Sequence, residues 1–203
     1  MAKRLGIGCI VLGVFCLLVS IGFALFNSYE AQEGEKASQT VLQEVKTMIA
    51  AAEPESIPEE TQAQFIEETQ PRQMQTVPVG KYDSIGILSI PVLELELPVL
   101  ADWTYAKLKQ APCHYFGSCY EENFVIAAHN YPSHFGRISH LKAGDLVTFT
   151  DVSGTVHGYE VVLVETLLPT ATEEMITSGF DLSLYTCTPG GGSRVTVRCR
   201  AII

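Results

Sequence analysis

Twenty-two residues near the start, Leu5 to Phe26, carry no charge and one hydroxyl, Ser20. At 1.5 Å of rise per residue such a run crosses the roughly 30 Å of hydrocarbon in a bilayer. Polar residues then interrupt the pattern. Val41, Val45, Met48 and Ile49 recur at spacings of three and four among good helix formers, which predicts a short amphipathic helix within 30–50 that fades before Pro54. From Glu53 to Gly80, prolines at 54, 58, 71 and 78 among Glu, Gln and Thr leave no room for a helix or a sheet, and this stretch is expected to be a flexible spacer.

Beyond Tyr82 the period changes to two. Ser84 to Ile90 and Leu93 to Val99 are short runs divided by Pro91, and Leu93-Glu94-Leu95-Glu96-Leu97 alternates apolar with polar, so one face of that strand is buried and the other wet. Further strands are expected at Asn123 to Ala128, Asp145 to Thr150, Thr155 to Thr166, Asp181 to Cys187 and Arg194 to Ile202. Brief helical stretches are expected near Tyr105 to Gln110, Phe135 to Leu141 and Thr172 to Ser178. Many short strands and few helices predict an all-β barrel or sandwich. No internal repeat is visible.

Composition and charge sharpen this picture. The chain of 203 residues has 47% hydrophobic residues, enough for one domain with a core. Its net charge is −10, and residues 27–80 hold ten acidic against three basic side chains, which reads as a solvated stalk. No basic patch points to nucleic acid, which is excluded as a partner. Lys3 and Arg4 precede the apolar run and acidic residues follow it, so the positive-inside rule leaves the N-terminus cytoplasmic and the rest outside, a single-pass cell-membrane protein. The length of the run and the poor cleavage site around Ala24-Leu25-Phe26-Asn27 favour a retained anchor over a signal peptide. The expected plan is a cytoplasmic tip at 1–4, an anchor at 5–26, a stalk at 27–80 and a folded domain at 81–203.

A cysteine nucleophile needs a thiolate, a proton-transfer partner and a donor for the oxyanion. Leu182 to Cys187 reads as a strand ending in a thiol, Thr188-Pro189-Gly190-Gly191-Gly192-Ser193 as a turn, and Arg194 as the start of the returning strand. Antiparallel pairing across that turn brings Arg194 beside Cys187. Arg198 shares Arg194's face but lies roughly 14 Å further along the strand. Val195, Val197 and Cys199 alternate to the other face, which makes Cys199 a buried thiol. The strand Asn123 to Ala128 delivers His129 and Asn130 at its end; a lone histidine there is more often structural, and the cysteine and arginine raise its standing.

Taken in order, Ile85-Gly86-Ile87-Leu88-Ser89-Ile90-Pro91, Leu97-Pro98-Val99, the alanine-rich strand into His129-Asn130, Phe135 and Leu141 before Gly144-Asp145, Tyr159-Glu160-Val161, and Leu184-Tyr185-Thr186-Cys187 with Arg194 resemble a sortase catalytic domain. Sortases are β-barrel cysteine transpeptidases of Gram-positive bacteria. The resemblance implies a closed barrel of about eight strands. It implies that Cys187 attacks the carbonyl after the threonine of an LPxTG-like signal on a secreted protein, that His129 moves the proton, and that Arg194 holds substrate and oxyanion, with the Thr188 backbone N–H as a second donor. Thr186, Thr188 and Asn130 are the expected substrate contacts, and Val162 to Pro169 with the loop to Ser178 is expected to flank the groove.

The acceptor implied is an amine of a peptidoglycan precursor. Ala128, where many members have glycine, and the short gap from Cys187 to Arg194 leave housekeeping, class B-like and class D-like assignments open, and the lack of an obvious lid ahead of the barrel weighs against the pilin-polymerising class. No cofactor is expected for the chemistry; Glu121, Glu122, Glu173 and Glu174 are the acidic side chains open to calcium. His114, His134, His140 and His157 match no tight zinc spacing and read as surface or loop residues, and no metal ligand is assigned. Cys113 and Cys119 read as separate thiols, with a loop-bridging disulfide as the lesser reading. A non-catalytic binding protein with the same barrel, or a hydrolase using the same three residues, are the alternatives.

Overall fold

The computed structural model describes residues 2–52 and 73–202. Nine strands form the body: β1 (Val77–Val79), β2 (Tyr82–Ile90), β3 (Leu95–Leu100), β4 (Cys113–Phe116), β5 (Phe124–Ala127), β6 (Leu146–Asp151), β7 (Val156–Leu167), β8 (Leu182–Cys187) and β9 (Arg194–Ala201). They run in the order β1-β2-β3-β4-β5-β8-β9-β7-β6, and β6 pairs back onto β2. Eight strands therefore close a barrel. The short β1 pairs with the first residues of β2. Closure brings β2 and β6 together at Gly86, where a Cβ would fall 2.1 Å from the Thr150 carbonyl oxygen and φ is +151°, so only glycine fits.

The barrel interior is filled by Leu88, Ile90, Phe124, Ile126, Phe149, Val161, Leu182, Leu184, Val197 and Cys199. Ser84–Ile90 and Leu93–Val99 form the expected hairpin, with Ile90 opposite Leu95. Its turn takes Pro91–Leu93 as a 3-10 turn and Glu94 in the left-handed region (φ 53°), so β3 starts two residues later than its alternation suggested. Within 135–141 only Ile138–His140 is helical, as a 3-10 turn. The short helices α2 (Tyr105–Leu108) and α3 (Thr172–Ile176) lie where expected.

The N-terminal element differs most from expectation. α1 runs unbroken from Ala2 to Ala52, about 77 Å at 1.5 Å per residue. Its first part is a candidate membrane span, with a mean hydropathy of 2.5 over 18 residues and no part of that window buried. From Glu30 on it does not stand off as a stalk. Gly34, Ser38, Val41, Leu42 and Val45 are buried along one face, and the last three pack against Val79, Ile87, Leu100, Ala111 and Cys113 on the outside of the barrel. Each such side chain contributes about 1.5–3 kcal/mol. This cover also explains why Leu100 is buried where alternation predicts a wet face. Lys109 pairs with Glu30, and Lys46 reaches Glu96 at 2.6 Å. Of the predicted spacer, 53–72 lies outside the described residues, whereas 77–79 is β1.

Candidate active site

β8 ends at Cys187 and β9 starts at Arg194, and the two are direct partners in the antiparallel register. β5 runs parallel to β8 with Ala127 opposite Tyr185. The pairing continues past the strand end, since the Ala128 N–H donates to the Tyr185 carbonyl at 3.1 Å and the Thr186 hydroxyl donates to the Ala128 carbonyl at 2.9 Å. Carried one residue further, past the end of β5, this register would align His129 with Cys187. Cys187 and Arg194 thus sit side by side at one end of the barrel, and His129 follows the end of the neighbouring strand β5.

Asn130 offers the His129 ring both a donor and an acceptor at Nδ1. Nδ1 lies 3.2 Å from the Asn130 backbone N–H, which donates to it, and 3.2 Å from the Asn130 side-chain oxygen. Accepting the N–H leaves the proton of the neutral ring on Nε2; a doubly protonated ring can instead donate from Nδ1 to the Asn130 oxygen. One neighbour thus supports both states. The ring is also stacked on Tyr131, with centroids 4.4 Å apart and planes 3° from parallel.

Arg194 Nη1 donates to the Gly191 and Ser193 carbonyls, both at 3.3 Å. No carboxylate pairs with it among the described residues, and Nε and Nη2 have no protein acceptor there. The groove beside Cys187 has a cavity volume of about 200 Å³. Trp103, Tyr105, Tyr115 and Tyr185 form an aromatic wall, with successive ring centroids 5.3 to 5.9 Å apart. Leu168, Pro169, Thr172 and Met175 also line it, within the segment expected to flank it.

Two expected substrate contacts are otherwise engaged. Thr186 is buried and its hydroxyl is spent on Ala128, so it staples β8 to the end of β5. Thr188 closes the turn: its N–H donates to the Ser193 carbonyl at 3.0 Å and its hydroxyl accepts from the Ser193 N–H at 3.1 Å. That backbone N–H is therefore not free as a second oxyanion donor. Asn130 serves His129, as described.

Arg198, read from sequence only as a residue further down the strand, is 2% exposed. It donates to Glu165 (2.8 Å), to the Ser183 hydroxyl (2.8 Å) and to the Glu174 carbonyl (2.8 Å), tying α3 to β7 and β8. α3 carries Met175 into the groove, so Arg198 braces the wall from behind. His134 is not a surface residue but fully buried, where burial and then the nearby His129 push its pKa down to about 4. Nothing in the hydrophobic pattern marked either burial.

At the opposite end, Cys119, Asp151 and His157 bring ligand atoms within 4.8 Å of one another, although Cys119 is far from the other two in sequence. Asp151 already accepts from the Ser153 N–H and hydroxyl, the Thr155 N–H, the Tyr120 hydroxyl (2.7 Å) and His157 (3.2 Å). Burial opposes its charge, yet those donors hold its carboxyl below the usual range. The cluster braces the β6–β7 turn. Glu121 and Glu122 border a cavity beside it, while Glu173 and Glu174 lie apart from them near Glu165. Cys113 and Cys119 are separate, buried thiols.

Residues 88–202, more than half of the chain, match the family model of the sortase domain. The chain belongs to the sortase family. None of the curated proteins compared with it matches. Among solved structures it is similar to sortase C1 of Streptococcus suis, at 29% identity over 59% of this chain and 73% of that one, with a TM-score of 0.52. The sortase D5 transpeptidase of Clostridium perfringens shares the fold at 22% identity, 59% and 79% coverage and a TM-score of 0.53. Sortase A of Corynebacterium diphtheriae does so at 19% identity, 90% and 96% coverage and a TM-score of 0.56. These sortases span three classes, C, D and A.

Proposed function

We propose that this sortase-family protein is a membrane-anchored cysteine transpeptidase whose catalytic barrel faces the outside of the cell. Its donor substrate is a secreted protein ending in an LPxTG-like sorting signal, and its acceptor is an amine of a cell-wall precursor. The observation that carries this reading is the pairing of Cys187 with Arg194 beside the groove, with His129 following the end of β5, which runs parallel to β8.

The Cys187 thiolate attacks the carbonyl carbon after the threonine, and the electron pair of the C=O bond moves onto oxygen. Arg194 donates to that oxyanion from Nε or Nη2, the groups without a protein acceptor. As the oxyanion collapses, the C–N bond breaks and His129 gives the departing nitrogen a proton from Nε2. A thioester remains on Cys187. The incoming amine then loses its proton to His129, attacks the thioester carbonyl and releases the thiolate. The aromatic wall from Trp103 to Tyr185 and the wall from Leu168 to Met175 hold the signal's apolar side chains.

The test is a library of fluorogenic LPxTG-like peptides with a set of amines, run on the full chain and on Cys187→Ala and Arg194→Ala. Amine-ligated product that requires Cys187 and falls about 100- to 1,000-fold in Arg194→Ala supports the reading. Cleavage giving only the free acid at every amine concentration would instead make the protein a hydrolase.

A further inference from the structure

We propose that the part of α1 from Glu30 to Gly34 belongs to the active site, because through Tyr131 it fixes the plane of the His129 imidazole. The role of His129 rests on the function proposed above; the contact itself does not.

Tyr131 is 4% exposed, and its ring lies between the two elements. One face is stacked on His129. On the side of α1, Gly34 comes so close that a Cβ there would stand 3.0 Å from Tyr131 Cε2 and 2.6 Å from the Lys109 carbonyl oxygen. Glu30, one turn earlier, pairs with Lys109, the residue whose carbonyl bounds the Gly34 contact. The His129 carbonyl accepts from the Phe135 N–H at 3.1 Å, and the Tyr131 carbonyl from the His134 and Gly136 N–H groups at 2.9 Å. The loop is therefore a tight coil whose tyrosine cannot move without carrying His129. Buried aromatic rings are common in cores, and Tyr131 would need no further account if Gly34 were any small residue with room to spare. Instead the helix approaches to the distance only glycine allows, against the ring that carries the stack. The same helix is the candidate membrane span, and Gly34 lies two turns beyond Phe26, so the proton-transfer group is set by the element that enters the bilayer.

The test uses the full chain in lipid nanodiscs with isotopically labelled histidine. Protons over an aromatic face are shielded, so the His129 ring protons, assigned by their loss in His129→Gln, resonate upfield in the wild type. Gly34→Ala should move them toward the unstacked position and lower kcat about ten- to a hundredfold with KM within about twofold. Tyr131→Leu should do the same, and Tyr131→Phe, which keeps the ring, should recover most of the rate. Leu42→Ala loosens α1 two turns away; it should lower the melting temperature and leave the His129 resonances in place. Unmoved resonances in folded Gly34→Ala and Tyr131→Leu, or an equal movement in Leu42→Ala, would overturn the proposal. Resonances that respond as expected in a protein that cleaves no peptide would leave the contact standing and sink the functional reading instead.

Discussion

Replacing Arg198 with methionine keeps the length of the side chain and removes the guanidinium. Three short hydrogen bonds disappear, to Glu165, the Ser183 hydroxyl and the Glu174 carbonyl. Hydrogen bonds to a charged group contribute about 1.5–3 kcal/mol each, and removing one partner of a buried pair costs about 3–5 kcal/mol in total, since the losses overlap. Glu165 retains 30% exposure and can rehydrate, whereas Ser183 is sealed and its hydroxyl is stranded. The expected loss is therefore near the lower limit, about 3 kcal/mol. With a urea m-value of about 2 kcal/mol per molar, the unfolding midpoint falls by about 1.5 M, read from the fluorescence of Trp103, the only tryptophan. Adding Ser183→Ala removes the stranded hydroxyl and should recover part of the loss. Because α3 forms the groove wall, its amide protons should exchange faster in Arg198→Met even under native conditions. A midpoint within about 0.3 M of wild type, with unchanged exchange in α3, would refute the idea that Arg198 braces that wall.

Thiol accessibility separates the cysteines of the barrel. Burial pushes Cys113, Cys119 and Cys199 up to about 12, so in nanodiscs at neutral pH a maleimide should label one barrel thiol quickly, and Cys187→Ala should abolish that fast phase. His134 makes stability depend on pH. Its folded pKa is depressed to about 4, against about 6.5 unfolded, so the unfolded chain binds the extra proton. The contribution is fully present above about pH 6.5 and is lost as pH falls toward 4, at up to about 1.4 kcal/mol per pH unit and about 3 kcal/mol in all. In His134→Phe the urea midpoint should fall less between pH 7 and 4.5 than in wild type; parallel curves would place the titration elsewhere.

The barrel strands other than β4, and the meeting of Cys187 with Arg194, were legible because each follows from local rules: period-two alternation, and a turn that forces its flanks to face each other; β4 (Cys113–Phe116) was not expected. His129 was legible as a strand end, but its nearness to Cys187 depends on the parallel register of β5 with β8, which no local pattern encodes. The docking of α1 was missed for a physical reason. Gly34 and Ser38 look like breaks in an apolar stripe, yet their small size is what lets the helix approach, and the charged Glu35 and Lys36 between them sit on the solvent side. Arg198 and His134 were misjudged because burial of a polar side chain is decided by distant partners. Thr186 and Thr188 were read as substrate contacts from their position beside Cys187, whereas both hydroxyls are consumed in holding β8 to its neighbours.

The central claim is that Cys187 carries the substrate as a thioester. Intact mass spectrometry of the full chain, mixed with an LPxTG-like peptide and quenched in acid before amine is added, tests this most directly. The account predicts an added mass equal to the peptide up to its threonine, less water, mapping to Cys187, absent in Cys187→Ala and discharged by an amine into ligated product. An unmodified mass across the peptide library, or an adduct that survives in Cys187→Ala, would contradict it.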